Sequence, residues 1–176
     1  MLSELFANNI LVKLLRGDVG RYDLIASMVG AKLGERLLLM GGADGRLLAA
    51  LGAKTGLTGT IAAVESDKET ATRVLTDATK AGVLADAYAS EDGSMPFDAS
   101  SFDIAVIPFP TDEGAGLARP LGEAFRVLRD GGRVSIITRQ GSAGAAITAA
   151  IQQAGFRAAR LLAERDKLVF YEGVKK

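Results

Sequence analysis

The chain contains no cysteine and no histidine among its 176 residues. Without Cys there is no disulfide, no thiolate nucleophile and no sulfur ligand for zinc. Without His there is no imidazole base and no imidazole metal ligand. The remaining way to hold a metal is a hard cation on carboxylates. Lysine plus arginine number 21, as do aspartate plus glutamate, so the formal net charge is zero. Overall charge therefore offers nucleic acid no attraction. No apolar run approaches the roughly 18–20 residues that a membrane span requires. The start, Met1-Leu2-Ser3-Glu4, lacks the basic segment of a secretion signal. Absence of cysteine also fits a reducing compartment. These absences lead to the expectation of a cytoplasmic protein with no membrane span, no nucleic-acid partner and no metal.

What is present is a globular composition, 48% hydrophobic and 24% charged. The length suits one domain around one core. Residues 2–15 carry leucines and a phenylalanine at helical spacing. A second helix is expected near Tyr22–Val29, closed by Gly30. Arg36–Met40 is a short apolar run ending at Gly41-Gly42, which predicts a strand buried on both faces. Arg46–Leu51 reads as helix, Thr60–Val64 as a second strand ending in Glu65, and Asp67–Ala81 as an amphipathic helix. Ser66 or Asp67 would cap that helix. Weak strand signal at Ala85–Ala89 precedes a turn-rich stretch from Ser90 to Ser101. Phe102–Ile107 is a fourth strand. A helix from Arg119-Pro120 to Leu128 follows, with Leu121, Ala124, Phe125 and Leu128 inward, and Gly131-Gly132 turns the chain into a fifth strand, Arg133–Thr138. Ser142–Ala154 is helical. Ala158–Ala163 and Leu168–Tyr171 form a hairpin about the polar turn Glu164–Lys167.

Strand and helix thus alternate before a terminal hairpin. That order predicts a Rossmann-like, doubly wound α/β fold with a mostly parallel seven-stranded sheet, a C-terminal antiparallel hairpin and preceding N-terminal helices. The whole chain, 1–176, is expected to be one domain, with a helical cover over residues 1–33 and an α/β core over 34–176. Ligands of such sheets bind beyond the carboxyl ends of the strands. The loops at 41–45, 65–67, 89–93 and 108–116 are expected to line one crevice.

Gly41-Gly42-Ala43-Asp44-Gly45 lies between a strand and a helix. Glycines there let the backbone approach a ligand and aim free helix N–H groups at it; a tight turn that needs only backbone freedom is the other reading. Glu65 ends the second strand, where a carboxylate can accept both hydroxyls of a ribose; the alternative is a solvated acid at a helix start. Glu91 and Asp92 are either acceptors for the amino group of an adenine or ordinary loop polarity. Met95-Pro96-Phe97 would wall the pocket or belong to the core. Asp112, Glu113 or a tyrosine are the available general bases, and Asp112 and Glu113 also read as a solvated loop.

Four stretches carry a family likeness: Arg36–Leu48 (RLLLMGGADGRLL), Ile61–Asp67 (IAAVESD), Ser94–Ile107 (SMPFDASSFDIAVI) and Glu123–Ile137 (EAFRVLRDGGRVSII). Over residues 35–138 the chain resembles the class I S-adenosylmethionine-dependent methyltransferases. The likeness is to the small-molecule branch that includes ubiquinone and menaquinone biosynthesis enzymes. The resemblance implies S-adenosylmethionine as cofactor and a small-molecule acceptor. It implies that Gly41, Gly42 and Gly45 lie under the methionine and ribose, with Asp44 in the same turn. Glu65, followed by Ser66, would take the ribose diol. Glu91 and Asp92 would flank the adenine, and Phe109 would lie near the transferred methyl group. Leu39 stands where the family usually has an acid, Ala43 where it has the middle glycine of G-x-G-x-G, and Asp130 where it prefers proline. Loss of one charged hydrogen bond, about 1.5–3 kcal/mol, would weaken cofactor binding by about tenfold to a hundredfold. Those departures motivate a second reading, a non-catalytic domain of the same fold that binds a ligand or partner. A nicotinamide-dependent reductase is the third, since a glycine turn plus Glu65 also suits a dinucleotide. The Tyr171-to-Lys175 spacing of short-chain reductases occurs here on a terminal strand rather than a helix, and is read as coincidence. The leucine-rich face of the N-terminal helices would admit an apolar substrate or touch a membrane surface, or, the favoured reading, be core or a homodimer contact.

Overall fold

A computed structural model describes residues 20–111 and 114–176. The helix expected over residues 2–15 and the base candidates Asp112 and Glu113 lie outside them. Helix α1 covers residues 20–29 and stops at Gly30, whose φ of +64° is easy only for glycine. Then follow β1 (Arg36–Met40), α2 (Gly45–Thr55), β2 (Thr60–Glu65), α3 (Lys68–Lys80), β3 (Asp86–Ala89) and β4 (Phe102–Pro108). A single 3-10 turn, Ala115–Leu117, leads into α4 (Ala118–Val127), β5 (Leu128–Arg139), α5 (Gly144–Gln153), β6 (Arg157–Arg165) and β7 (Leu168–Val174).

The strands form one sheet in the order β3-β2-β1-β4-β5-β7-β6. Its first five members run parallel and β7 is antiparallel to both neighbours. Strand order therefore reverses between β1 and β4, the place where a doubly wound sheet opens a crevice. Alternation across β1 explains why its apolar run has no polar face. Leu38 and Met40 enter the core beneath α4 and α5, whereas Leu37 and Leu39 enter the core beneath α1, α2 and α3. Helix α1 closes this second core with Ile25, Ala26 and Val29, all buried.

Two of the boundaries that differ from the sequence expectation have visible causes. Strand β5 begins at Leu128, directly at the end of α4, rather than after the two glycines. Gly131 accepts φ +77° inside it, and the backbone N–H groups of Gly131 and Lys175 donate to Lys175 and Gly132 carbonyls at 2.8 Å, so pairing with the chain end extends the strand across the glycines. At the hairpin, the turn shrinks to Asp166-Lys167, with φ of +51° and +65°. Two left-handed residues give a twist that matches the flanking strands. Glu164 and Arg165 consequently belong to β6. The cap of α3 resolves to Asp67, which accepts from the Thr70 N–H at 2.8 Å.

Candidate functional site

The β1–α2 turn is built from backbone that ordinary residues avoid. Gly41 has φ +75° and Gly42 φ +98°. A Cβ on Gly42 would stand 2.6 Å from Pro108 Cγ, so this glycine lets β1 and β4 close on each other at the switch point. A Cβ on Gly41 would meet nothing within 4 Å; it would project into open space. Ala43 also takes a left-handed conformation, φ +50°, which costs a residue with a Cβ about 1–2 kcal/mol. The reason for tolerating it is visible: its N–H donates to Glu65 Oε1 at 3.1 Å.

Glu65 is 4% exposed at the end of β2. Burial pushes its carboxyl above the ordinary value of 4.5, against the lowering effect of the Ala43 N–H. Its Oε2 accepts no hydrogen bond from any described residue. A buried carboxylate with one oxygen anchored and the other free is suited to receive hydroxyl donors, because the acceptor is already desolvated.

Phe109 forms the opposite wall. It follows β4 with φ +46°, an uncommon conformation for a bulky residue, and is pinned by its N–H donating to the Ile137 carbonyl at 2.7 Å. Between these walls lies a cavity of about 490 Å³, lined by Met40–Ala43, Glu65, Ser66, Thr70, Ile107–Thr111, Gly116, Leu117 and Pro120. This is the volume of a small-molecule or cofactor site. A second groove, about 400 Å³, runs between α4 and α5, but its walls are mostly alanine and carry no charge.

Among the residues expected from sequence, Gly41, Gly42, Glu65, Ser66 and Phe109 converge on the cavity. Asp44 and Gly45 do not line it. Asp44 caps α2, its Oδ1 accepting from Arg46 and Leu47 N–H groups at 3.0 and 3.2 Å, and its Oδ2 accepts the Tyr22 hydroxyl at 2.6 Å. Gly45 faces α3, where a Cβ would stand 2.5 Å from the Val74 carbonyl oxygen and 2.6 Å from Asp77 Cβ; it is a helix-packing glycine. The loop 89–93 contributes no lining residue, contrary to the expectation for that crevice. Asp92 is engaged within its own loop, where the Ser94 hydroxyl and N–H donate to it at 2.7 and 3.0 Å and hold its pKa down. Glu91 lies exposed beside it. Met95 and Phe97 pack against the α4–α5 core rather than the cavity, and Arg126 pins the loop there through the Phe97 and Met95 carbonyls at 2.7 and 3.0 Å. Thr70, Leu117 and Pro120 also line the cavity, and none was expected there; Pro120 reads in the sequence only as a helix start.

The departures from the family pattern also find their places. Leu39 is fully buried among Ile25, Leu47 and Phe170, so this position belongs to the core beneath α1 and α2. Of the three tyrosines, Tyr171 is buried on β7, Tyr88 is on the edge strand β3, and only Tyr22 approaches the site, through Asp44. Among the described residues no cluster of three or more acidic side chains could hold a metal, and no helix is long and apolar enough to cross a membrane.

The chemistry of the donor set fits an adenosyl cofactor at the acid and at the glycine turn. Glu65 offers a free desolvated acceptor to a diol, and the missing Cβ of Gly41 leaves the space that a ligand resting on the turn would use. Nothing equivalent is found at Glu91 or Asp92 for an adenine.

A family model described as a methyltransferase domain matches residues 38–136. A S-adenosylmethionine-dependent methyltransferase from Aquifex aeolicus superimposes with a TM-score of 0.79 at 18% identity, covering 88% of this chain and 89% of that one. A S-adenosylmethionine-dependent O-methyltransferase from Thermotoga maritima gives 0.71 at 19% identity, over 89% and 64% of the two chains. The cyclase SpnF gives 0.69 at 14% identity, over 87% and 80%. At these identities the likeness establishes the fold. No curated protein matches the sequence.

Proposed function

We propose, from the premise that this chain belongs to the methyltransferase-domain family matched over residues 38–136, that it is an S-adenosylmethionine-dependent methyltransferase acting on a small molecule. The observation that carries the reading is Glu65: a buried acid with one free oxygen, at the end of β2, bonded to the glycine turn and lining with it a cavity of about 490 Å³. Glu65 would hold the ribose hydroxyls, and the Gly41-Gly42 backbone would underlie the rest of the cofactor. When bound, S-adenosylmethionine supplies an electrophilic methyl on a good leaving group, so most of the required catalysis is alignment. Phe109, fixed in its left-handed conformation, and Pro108 and Pro110 would shape the acceptor side and exclude water. The concave, mostly apolar lining is the support for a small acceptor.

A second reading retains the fold without methyl transfer. Ala43 favours it, because its strained N–H occupies one oxygen of the acid. SpnF, named as a cyclase, has a similar fold. Calorimetry with S-adenosylmethionine, S-adenosylhomocysteine and NADH separates the readings. Binding of both adenosyl compounds in the micromolar to sub-millimolar range, and none of NADH, is expected. Absence of heat with either adenosyl compound at millimolar concentration would sink the methyltransferase reading. Binding without methyl transfer to any acceptor in a broad small-molecule screen favours the second.

A further inference from the structure

Five of the described arginines form ion pairs with acids. Arg126 meets Glu123 at 2.8 Å, Arg133 meets Glu35 at 3.4 Å, Arg160 meets Glu172 at 3.1 Å, and Arg36 and Arg129 share Asp103. Two others meet at Phe109, a residue of the cavity wall. Arg21, in the first described turn of α1, and Arg139, the last residue of β5, both place their guanidinium on the ring of Phe109, with Cζ 5.7 and 5.2 Å from its centroid. Neither has an acidic partner among the described residues. Arg21 Nε is buried and makes no hydrogen bond. Arg21 also stands over the Tyr22 ring at 5.5 Å. Asp44, the acid bonded to Tyr22, already uses both oxygens on the Tyr22 hydroxyl and the α2 N–H groups.

Two like charges gathered on one aromatic ring repel each other, and a buried guanidinium N–H without an acceptor is unfavourable. A cation resting on an aromatic face recovers only part of this. Among the described residues, no anion meets either guanidinium. The guanidinium fork matches a planar carboxylate, to which it donates two parallel hydrogen bonds. Phe109 itself lines the cavity, so the two cations flank a wall of the site rather than a remote surface.

We propose that Arg21 and Arg139, organised by Phe109, form a carboxylate-binding clamp at the edge of the cavity. The carboxylate is carried either by the methyl acceptor or by the amino-acid end of the cofactor. Only the identity of its carrier rests on the methyltransferase reading; the clamp rests on the geometry. It is also a specificity device, since a neutral acceptor of the same shape would leave both cations unpaired.

The test titrates the full chain and an Arg21→Gln/Arg139→Gln variant with four probes: S-adenosylhomocysteine, 5′-methylthioadenosine (which lacks the amino-acid group), benzoate and its neutral amide. Arg139→Gln alone serves as the second variant: Arg139 is exposed, so its loss is expected to spare the fold, which thermal unfolding checks. If the clamp holds the cofactor, the wild-type preference for S-adenosylhomocysteine over 5′-methylthioadenosine falls by about tenfold or more in the variants, while the affinity for 5′-methylthioadenosine stays constant. If it holds the acceptor, that preference is unchanged, and the protein saturated with S-adenosylhomocysteine prefers benzoate to benzamide by about tenfold, a preference the variants lose. Variants that change neither preference overturn the clamp. Should the chain bind neither nucleoside, the cofactor reading fails by itself. The clamp then stands or falls on benzoate against benzamide in the free protein: a preference lost in the variants supports it, and equal affinities refute it.

Discussion

Glu65→Gln separates binding from folding in a way that a merely structural acid would not. The substitution keeps an oxygen to accept the Ala43 N–H, now at 3.1 Å, and removes the charge. Burial already disfavours that charge, as the raised pKa shows, so at neutral pH the variant should be as stable as the wild type or more so. Ligand binding should move the other way. Two hydroxyls donating to a carboxylate contribute about 1.5–3 kcal/mol each; in the amide only the oxygen accepts and the NH2 donates, and such neutral bonds contribute about 0.5–1.5 each. The difference over both bonds is about 2–3 kcal/mol, or roughly 30- to 150-fold in Kd. Glu65→Ala additionally strands the Ala43 N–H and should cost about 1–3 kcal/mol of stability. The pH dependence carries a definite sign. A diol stabilises the ionised acid, so binding weakens as pH falls through the raised pKa, beginning above the ordinary 4.5. Glu65→Gln abolishes that dependence. The assay is calorimetry with S-adenosylhomocysteine at several pH values, paired with thermal unfolding. Unchanged affinity in Glu65→Gln, with unfolding as in the wild type, would refute the placement of the ribose at this acid.

Other outcomes follow from neighbouring geometry. Gly41→Ala should lose about 1–2 kcal/mol from its positive φ alone and weaken S-adenosylhomocysteine binding, whereas Gly42→Ala, whose Cβ would strike Pro108, should unfold at clearly lower urea. Gly45→Ala should destabilise by about 1–3 kcal/mol in urea titration, despite the better helix propensity of alanine, because α2 and α3 must move apart. Glu123, held down to about 2 chiefly by the Arg126 hydrogen bonds, contributes stability that is present above its ordinary 4.5 and is lost as pH falls toward 2. Wild type and Glu123→Gln should therefore differ in thermal midpoint at pH 7 and converge in acid; a gap that persists at pH 2 would disprove the role of the charge. Tyr22→Phe should loosen α1 from the turn through loss of its bond to Asp44, seen as faster amide exchange over residues 20–29.

The order of elements from β1 onward was legible because short apolar runs, glycine stops and a 3.6-residue periodicity are local signals. The strands of a parallel sheet are buried on both faces, so Arg36–Met40 and Phe102–Ile107 stood out without tertiary information. Boundaries that depend on a distant partner were less visible. Strand β5 crosses its glycines because the chain end pairs with it, and no local pattern near Leu128 records that.

The site divides along the same line. By itself the sequence determined the parallel core, the acid at the end of β2 and the glycine turn above β1, since each is written in adjacent residues. Only the tertiary structure decided what those residues do. It turned Gly45 toward α3, gave Asp44 to the cap and to Tyr22, kept Glu91 and Asp92 out of the cavity, and seated Leu39 in the core. It also brought Arg21 and Arg139, from α1 and the end of β5, onto one phenyl ring. Direction and proximity arise when strands that are distant in sequence become neighbours at the switch point, and a linear pattern contains neither.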